Sequence, residues 1–193
     1  MRASRRFSQA ISEGDGISLL AAVGDPDGAR AAERAGAEGL VAAASATGLS
    51  DATELPILWM SDALDEAVAA GADAAVLLVN GLEDDDGRLE ALVEAVTGRG
   101  LECVVGVADE DELRVALDRL DPEVLLLSAG RVDEHEALEH VLGLLPDVPA
   151  GKLAIADLDV QGREEVAQLE RAGVDAVVVR SGDLAALLHE PSR

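Results

Sequence analysis

Side chains able to hold charge or move a proton collect just behind the apolar runs of this 193-residue chain. Asp25 and Asp27 follow the first run, Ser45 the second, and Ser61 and Asp62 the third. Asn80 ends the fourth, Asp109 ends the fifth, and Ser128 stands near the end of the sixth with Arg131 just past it. Asp157 and Asp159 close the seventh, and Arg180 and Ser181 the eighth. Carboxylates suit Mg²⁺, so Asp109, Asp157 and Asp159 could form a divalent site. The stretches DPDGAR and DEDELR favour a plainer role, in which first-turn aspartates cap the helices that follow. No metal site is therefore expected. HEALEH (135–140) is like a zinc-protease helix, but its histidines are five apart, which turns them about 140° from each other. A solvated helix face is the expectation there. Cys103 opens a buried strand and reads as an inert thiol. No histidine falls behind an apolar run, so neither a Ser-His-Asp nor a Cys-His set can be assembled.

The elements that must position these groups alternate regularly. Eight apolar runs, at 17–23, 39–44, 56–61, 74–80, 102–109, 123–130, 152–159 and 175–180, lack polar alternation. Such runs suit strands covered on both faces, as in parallel sheets. Between them Leu89, Leu92, Val93 and Val96 share one helix face, as do Leu113, Ala116, Leu117 and Leu120, and Leu138, Val141, Leu142 and Leu145. ERAGAEGLV (33–41), AAGADAAVLL (69–78) and ERAGVDAVVV (170–179) repeat one pattern: a helix ends, a glycine takes the left-handed position, and an acid precedes the next strand. Those acids, Glu38, Asp73 and Asp175, with Glu102 and Glu123, are expected to be solvated residues ringing the N-terminal face. Eight units in a row predict a compact eight-stranded parallel (β/α)8 barrel in one domain, 1–193. It is short beside the roughly 250 residues such barrels usually take. SATGLSDATEL (45–55) is the visible economy, a shortened second helix.

Composition excludes several classes of partner. Fifteen Lys and Arg against 39 Asp and Glu give a net charge of −24, with Lys152 the sole lysine. That surface repels phosphate backbones and anionic lipids, so neither nucleic acid nor membrane is an expected partner. One Trp, one Phe and no Tyr leave no stacking platform for single strands. A single cysteine forbids an intrachain disulfide. MRASRRFSQAIS has no apolar stretch of signal-peptide type, and a cytoplasmic location is expected. Acidity with arginine in place of lysine suits a halophilic setting, where salt screens the repulsion.

FSQAIS, then GISLLAAV, LPILWMSD, AAGADAAVLLVNGL, GLECVVGVADEDEL and RAGVDAVVVRSGDL, in that order, resemble indole-3-glycerol-phosphate synthase from Phe7 to about Leu188. The long N-terminal extension of that family is expected to be a stub here, 1–15. The resemblance implies a barrel that closes an indole ring on a carboxyphenylamino-deoxyribulose phosphate with loss of CO₂. It implies a lysine general acid, a glutamate at the leaving hydroxyl, and further Lys, Glu and Asn positions. At the matching places this chain has Ala22 and Gly24 after the first strand, Met60 where the catalytic lysine would stand, and Gly106 for a glutamate. Ser128 lies near the Asn position, and Asp157 keeps an acid in kind.

The resemblance also implies a phosphate cradle behind the last two strands. Arg180, Ser181 and Gly182 are its candidates, before a helix at 183–188, although Asp157, Asp159 and Asp183 crowd it with negative charge. The expected function is a synthase-like barrel that has lost the synthase reaction. The alternatives are an enzyme of other chemistry on a small phosphorylated substrate, using Asp157, Arg180 and Ser181, or a binding or regulatory subunit docking a protein at its mouth. Asp157, Ser128 and Asp109 are the candidates for any catalytic role. No cofactor is expected, and a small phosphorylated molecule is the candidate ligand. A mouth plugged by Trp59, Met60 and Leu158 would favour the non-catalytic readings.

Overall fold

The structure is a computed structural model that describes residues 7–14, 16–82, 87–180, 184 and 187. Eight parallel strands close in chain order into one barrel, with β8 returning to β1. They are β1 (Ser18–Ala22), β2 (Gly39–Ala42), β3 (Ile57–Trp59), β4 (Ala74–Leu78), β5 (Glu102–Val107), β6 (Val124–Ser128), β7 (Leu153–Asp157) and β8 (Ala176–Val179). Each of the eight runs holds its strand and overshoots it by one or more residues.

Helices α2 (Pro26–Arg34), α3 (Leu64–Ala70), α4 (Arg88–Thr97), α5 (Glu110–Arg119), α6 (Glu134–Leu144) and α7 (Arg163–Ala172) cover the outside. Between β2 and β3 the helical segment is shortened as expected, to turns alone. The expected helix at 183–188 lies outside the described residues except at Leu184 and Leu187. Both pack on the outer core.

Side-chain alternation sorts the strand residues into two layers. Leu20, Val41, Leu58, Ala74, Val104, Val124, Leu126, Ile155, Ala176 and Val178 form one buried cluster to which all eight strands contribute, so it is the barrel interior. The alternate residues face the helices. Short buried side chains such as Ala29, Ala32, Ala67 and Ala70 let α2 and α3 sit close to the strands. Gly39 serves the interior instead: it shares the parity of Val41, and a Cβ there would stand 2.7 Å from Leu20 Cδ2.

The floor of the barrel is closed by α1 (Phe7–Ser12), whose Phe7 and Ile11 join the interior cluster. Ser8 donates its backbone N–H to Glu102 Oε2 at 3.2 Å, and Ser18 Oγ donates to the Ile11 carbonyl at 3.4 Å. The acids on this face are not all solvated, as the sequence suggested. Asp73 Oδ2 accepts from the Ile57 amide at 2.9 Å and Asp175 Oδ2 from the Ala154 amide at 2.8 Å. In both cases the acid also donates its own N–H to the carbonyl of the same partner. The repeated Gly-x-Asp segment therefore stitches the start of one strand to the strand before it. Gly36, Gly71 and Gly173 take positive φ ahead of those acids, as the repeat predicted.

Candidate active site at the barrel mouth

The C-terminal ends of the strands form the mouth, and interior parity decides what reaches it. Behind the buried interior layer come Met60 after β3, Leu78 on β4, Gly106 on β5, Ser128 on β6, Asp157 on β7 and Arg180 after β8. Ser128 and Asp157 stand opposite each other in the β6–β7 register. Arg180 Nη2 meets Asp157 Oδ1 as an ion pair. The Asp157 side chain is only 10% exposed and that of Arg180 is 43% exposed. Asp157 Oδ1 makes no aligned hydrogen bond among the described residues, so the charge pair is what compensates its burial. Ser128 Oγ accepts from the Gly130 amide at 3.1 Å, which leaves its hydroxyl proton free to point into the mouth.

The facing arc is apolar. Leu78 is 57% exposed, unusual for a leucine on a barrel strand. It lies over Gly106, where a Cβ would come within 2.6 Å of Leu78 Cδ2 and 3.2 Å of Val76 Cγ1. The β3–β4 ladder holds only two register pairs, Leu58↔Ala74 and Trp59↔Ala75, against five between β4 and β5. A cavity of about 290 Å³ opens where β3 and β4 part, lined by Met60, Ser61, Asp62, Val76, Leu78 and Arg88 among others. That cavity runs outward past Leu77 to Leu92 and Val96 of α4 and is lined by none of Ser128, Asp157 and Arg180, so it lies beside the mouth. Trp59 does not reach the mouth: alternation turns Trp59 outward, fully buried among the helix-facing residues, with its indole N–H unpaired among the described residues. Leu158 likewise packs in the outer core.

Other polar residues of the rim have local tasks. Asp25 Oδ1 accepts the Gly28 amide at 2.7 Å and caps α2. Asp109 Oδ1 accepts the Glu112 amide at 2.8 Å, while Glu112 Oε2 takes the Ala108 amide at 2.7 Å. This reciprocal arrangement is a capping box in all but the exact amide used, and it buries the Glu112 carboxylate. Asp27 pairs with Arg30 on the helix surface. Arg131 and Asn80 are exposed. Among the described residues no three Asp, Glu, His or Cys side chains converge as metal ligands would, so Asp109, Asp157 and Asp159 do not form one site. Ser181, Gly182 and Asp183 lie outside the described residues.

Sequence reasoning missed two groups. Glu112 was signalled by the Asp-x-x-Glu spacing. His140 was not: its Nε2 stands 2.6 Å from the Ala108 carbonyl, so it carries the proton there and ties α6 to the turn after β5. His140 is therefore part of the packing, and the solvated-face expectation holds only for the exposed His135. Cys103 is half-buried, and desolvation pushes its thiol pKa up from 9.0 to about 11, in line with an inert thiol.

Residues 58–186 match the family model of indole-3-glycerol phosphate synthase, which is most of the barrel. The chain belongs to the indole-3-glycerol phosphate synthase family. Curated synthases agree with this. Those of two strains of Acidithiobacillus ferrooxidans are 33% identical over 134 residues, covering 67% of this chain and 50% of theirs. The synthase of Variovorax paradoxus is 31% identical over 131 residues, covering 65% and 48%. The chain thus spans about half the length of these relatives in the aligned region. Among solved structures, the N-acetylmannosamine-6-phosphate 2-epimerase of Clostridium perfringens superposes with a TM-score of 0.72 over 94% of this chain and 91% of its own, at 15% identity. That likeness speaks for the barrel fold. Among the described residues no helix is long and apolar enough to cross a membrane.

Proposed function

We propose that this chain is a synthase-family barrel that no longer closes the indole ring and that holds a small phosphorylated molecule at its mouth. The observation that carries the first half is the apolar arc of Met60, Leu78 and Gly106. The family resemblance puts Met60 at the place of the catalytic lysine, and a thioether has no proton to donate. Gly106 offers no carboxylate, and its space is taken by Leu78. Lys152, the one lysine, is at the opposite end of the barrel, where its Nζ binds Asp121 Oδ1 at 2.5 Å and the Pro122 carbonyl at 2.8 Å. The second half rests on Arg180, which interior parity carries to the mouth, with Ser181 and Gly182 following it in sequence as further donors. A cytoplasmic, salt-rich setting goes with the single cysteine and the net charge of −24.

The Asp157–Arg180 pair favours a second reading, an enzyme of other chemistry on a phosphorylated substrate. There Asp157 would move a proton while Arg180 holds the anion. Genetic complementation separates the readings from the family reaction. Expressed in a tryptophan auxotroph lacking the synthase, the chain is expected to give no growth without tryptophan. Growth would overturn the proposed loss of ring closure.

A further inference from the structure

We infer that Asp157 is a built-in competitor for the anion at the barrel mouth, holding the Arg180 guanidinium until a phosphorylated ligand draws it away. This rests on the reading that such a ligand binds there, and it adds what sets the affinity.

The two side chains come from neighbouring strand ends and meet as an ion pair. Their burial is unequal. Asp157 is fixed at the end of β7, nine-tenths buried and in register with Ser128, so it cannot leave. Arg180 is the longer and the more exposed partner, and follows the last residue of β8, so it is the one able to move. A phosphate entering the mouth therefore meets a guanidinium whose charge is already compensated. It also meets a fixed carboxylate of its own sign behind that cation. Both effects oppose binding, and both vanish when residue 157 is neutral. The chain as a whole, at −24, adds to the opposition rather than relieving it. A mouth of this kind discriminates: a doubly charged phosphate can outcompete one carboxylate for a guanidinium, whereas a singly charged carboxylate ligand gains little over the contact already present.

The test is calorimetric titration with inorganic phosphate at constant ionic strength, on wild type, D157N, D157E and R180A. D157N is expected to bind about fivefold tighter than wild type, the upper end for a partly exposed ion pair. D157E keeps the competing charge and is expected to stay near wild type, while R180A loses measurable binding. A merely structural role for Asp157 would instead weaken binding in D157N together with its melting temperature. D157S, which removes the charge with a smaller side chain, is expected to repeat the D157N gain should the asparagine variant fold poorly. Equal or weaker phosphate binding by D157N and D157S, with wild type binding, would overturn the competitor role and leave the phosphate reading standing. No binding by wild type, D157N or D157S, or full binding by R180A, would overturn both.

Discussion

Gly106 and Leu78 are a matched pair on adjacent strands. The missing Cβ of one is the resting place of the other's methyl group. Leu78 is more than half exposed and can rotate outward, but Val76 Cγ1 at 3.2 Å must also give, so Gly106→Ala is expected to cost about 1–2 kcal/mol in urea unfolding. A loss well above that would mean that Leu78 is held in place. Cys103 gives a second expectation. Its pKa of about 11 means that almost no thiolate exists at pH 8. Alkylation of the folded protein by iodoacetamide at pH 8 should be far slower than in urea, and equal rates would contradict the burial. Folding raises this pKa above 9.0, so the stability it contributes is full below pH 9 and is lost as pH rises towards 11. Glu90 has the opposite sign. Arg119, bonded to it at 2.9 and 3.0 Å, holds its carboxyl below the ordinary range, so whatever that half-buried pair contributes fades as pH falls into the acid range.

At the scale of elements, the carboxylates at the strand starts act as fasteners. Asp175 takes the Ala154 amide, and Asp73 the Ile57 amide, each joining two strands on the floor of the barrel. Hydrogen bonds to a charged group contribute about 1.5–3 kcal/mol. Partial exposure lowers this, so Asp175→Ala is expected to lose about 1–2 kcal/mol in chemical denaturation. A change within a few tenths of a kcal/mol would return Asp175 to the solvated role that the sequence suggested. The strands were legible because an unbroken run of Val, Leu and Ile has few other solutions, and the glycine-acid repeat marked where each began. What the sequence hid was direction. Leu58, Trp59 and Met60 are equally apolar in the string, but alternation sends Trp59 to the helices and Met60 to the mouth. Period two could have shown this once β3 was anchored. The exposure of Leu78 and the parting of β3 from β4 depend on where two ladders stop, which no single segment encodes. His140 reaches the Ala108 carbonyl across 32 residues of chain, so no local spacing announced it.

At the scale of the whole molecule, charge dominates. Ion pairs such as Arg114–Asp111 and Arg99–Asp65 are exposed, and pairs of that kind contribute little. Fifteen cations cannot compensate 39 anions. Raising KCl from about 0.05 to about 2 M shortens the Debye length to a few ångströms and should raise the melting temperature by several degrees. A flat or falling melting temperature would count against a halophilic setting. The same field bears on function, since an anionic substrate must approach through it to a mouth whose one arc is apolar and whose facing cation is already paired. Loss of a positioned general acid alone slows a reaction about 10²–10⁴-fold, and groups that act as a unit fail together. The most direct test is to incubate the purified chain with the carboxyphenylamino-deoxyribulose phosphate and follow indoleglycerol phosphate by its indole fluorescence. The expected rate is that of the buffer blank. Product formation above the blank that disappears in D157N or R180A would contradict the proposed loss of ring closure, and would mean that this mouth performs it with other residues.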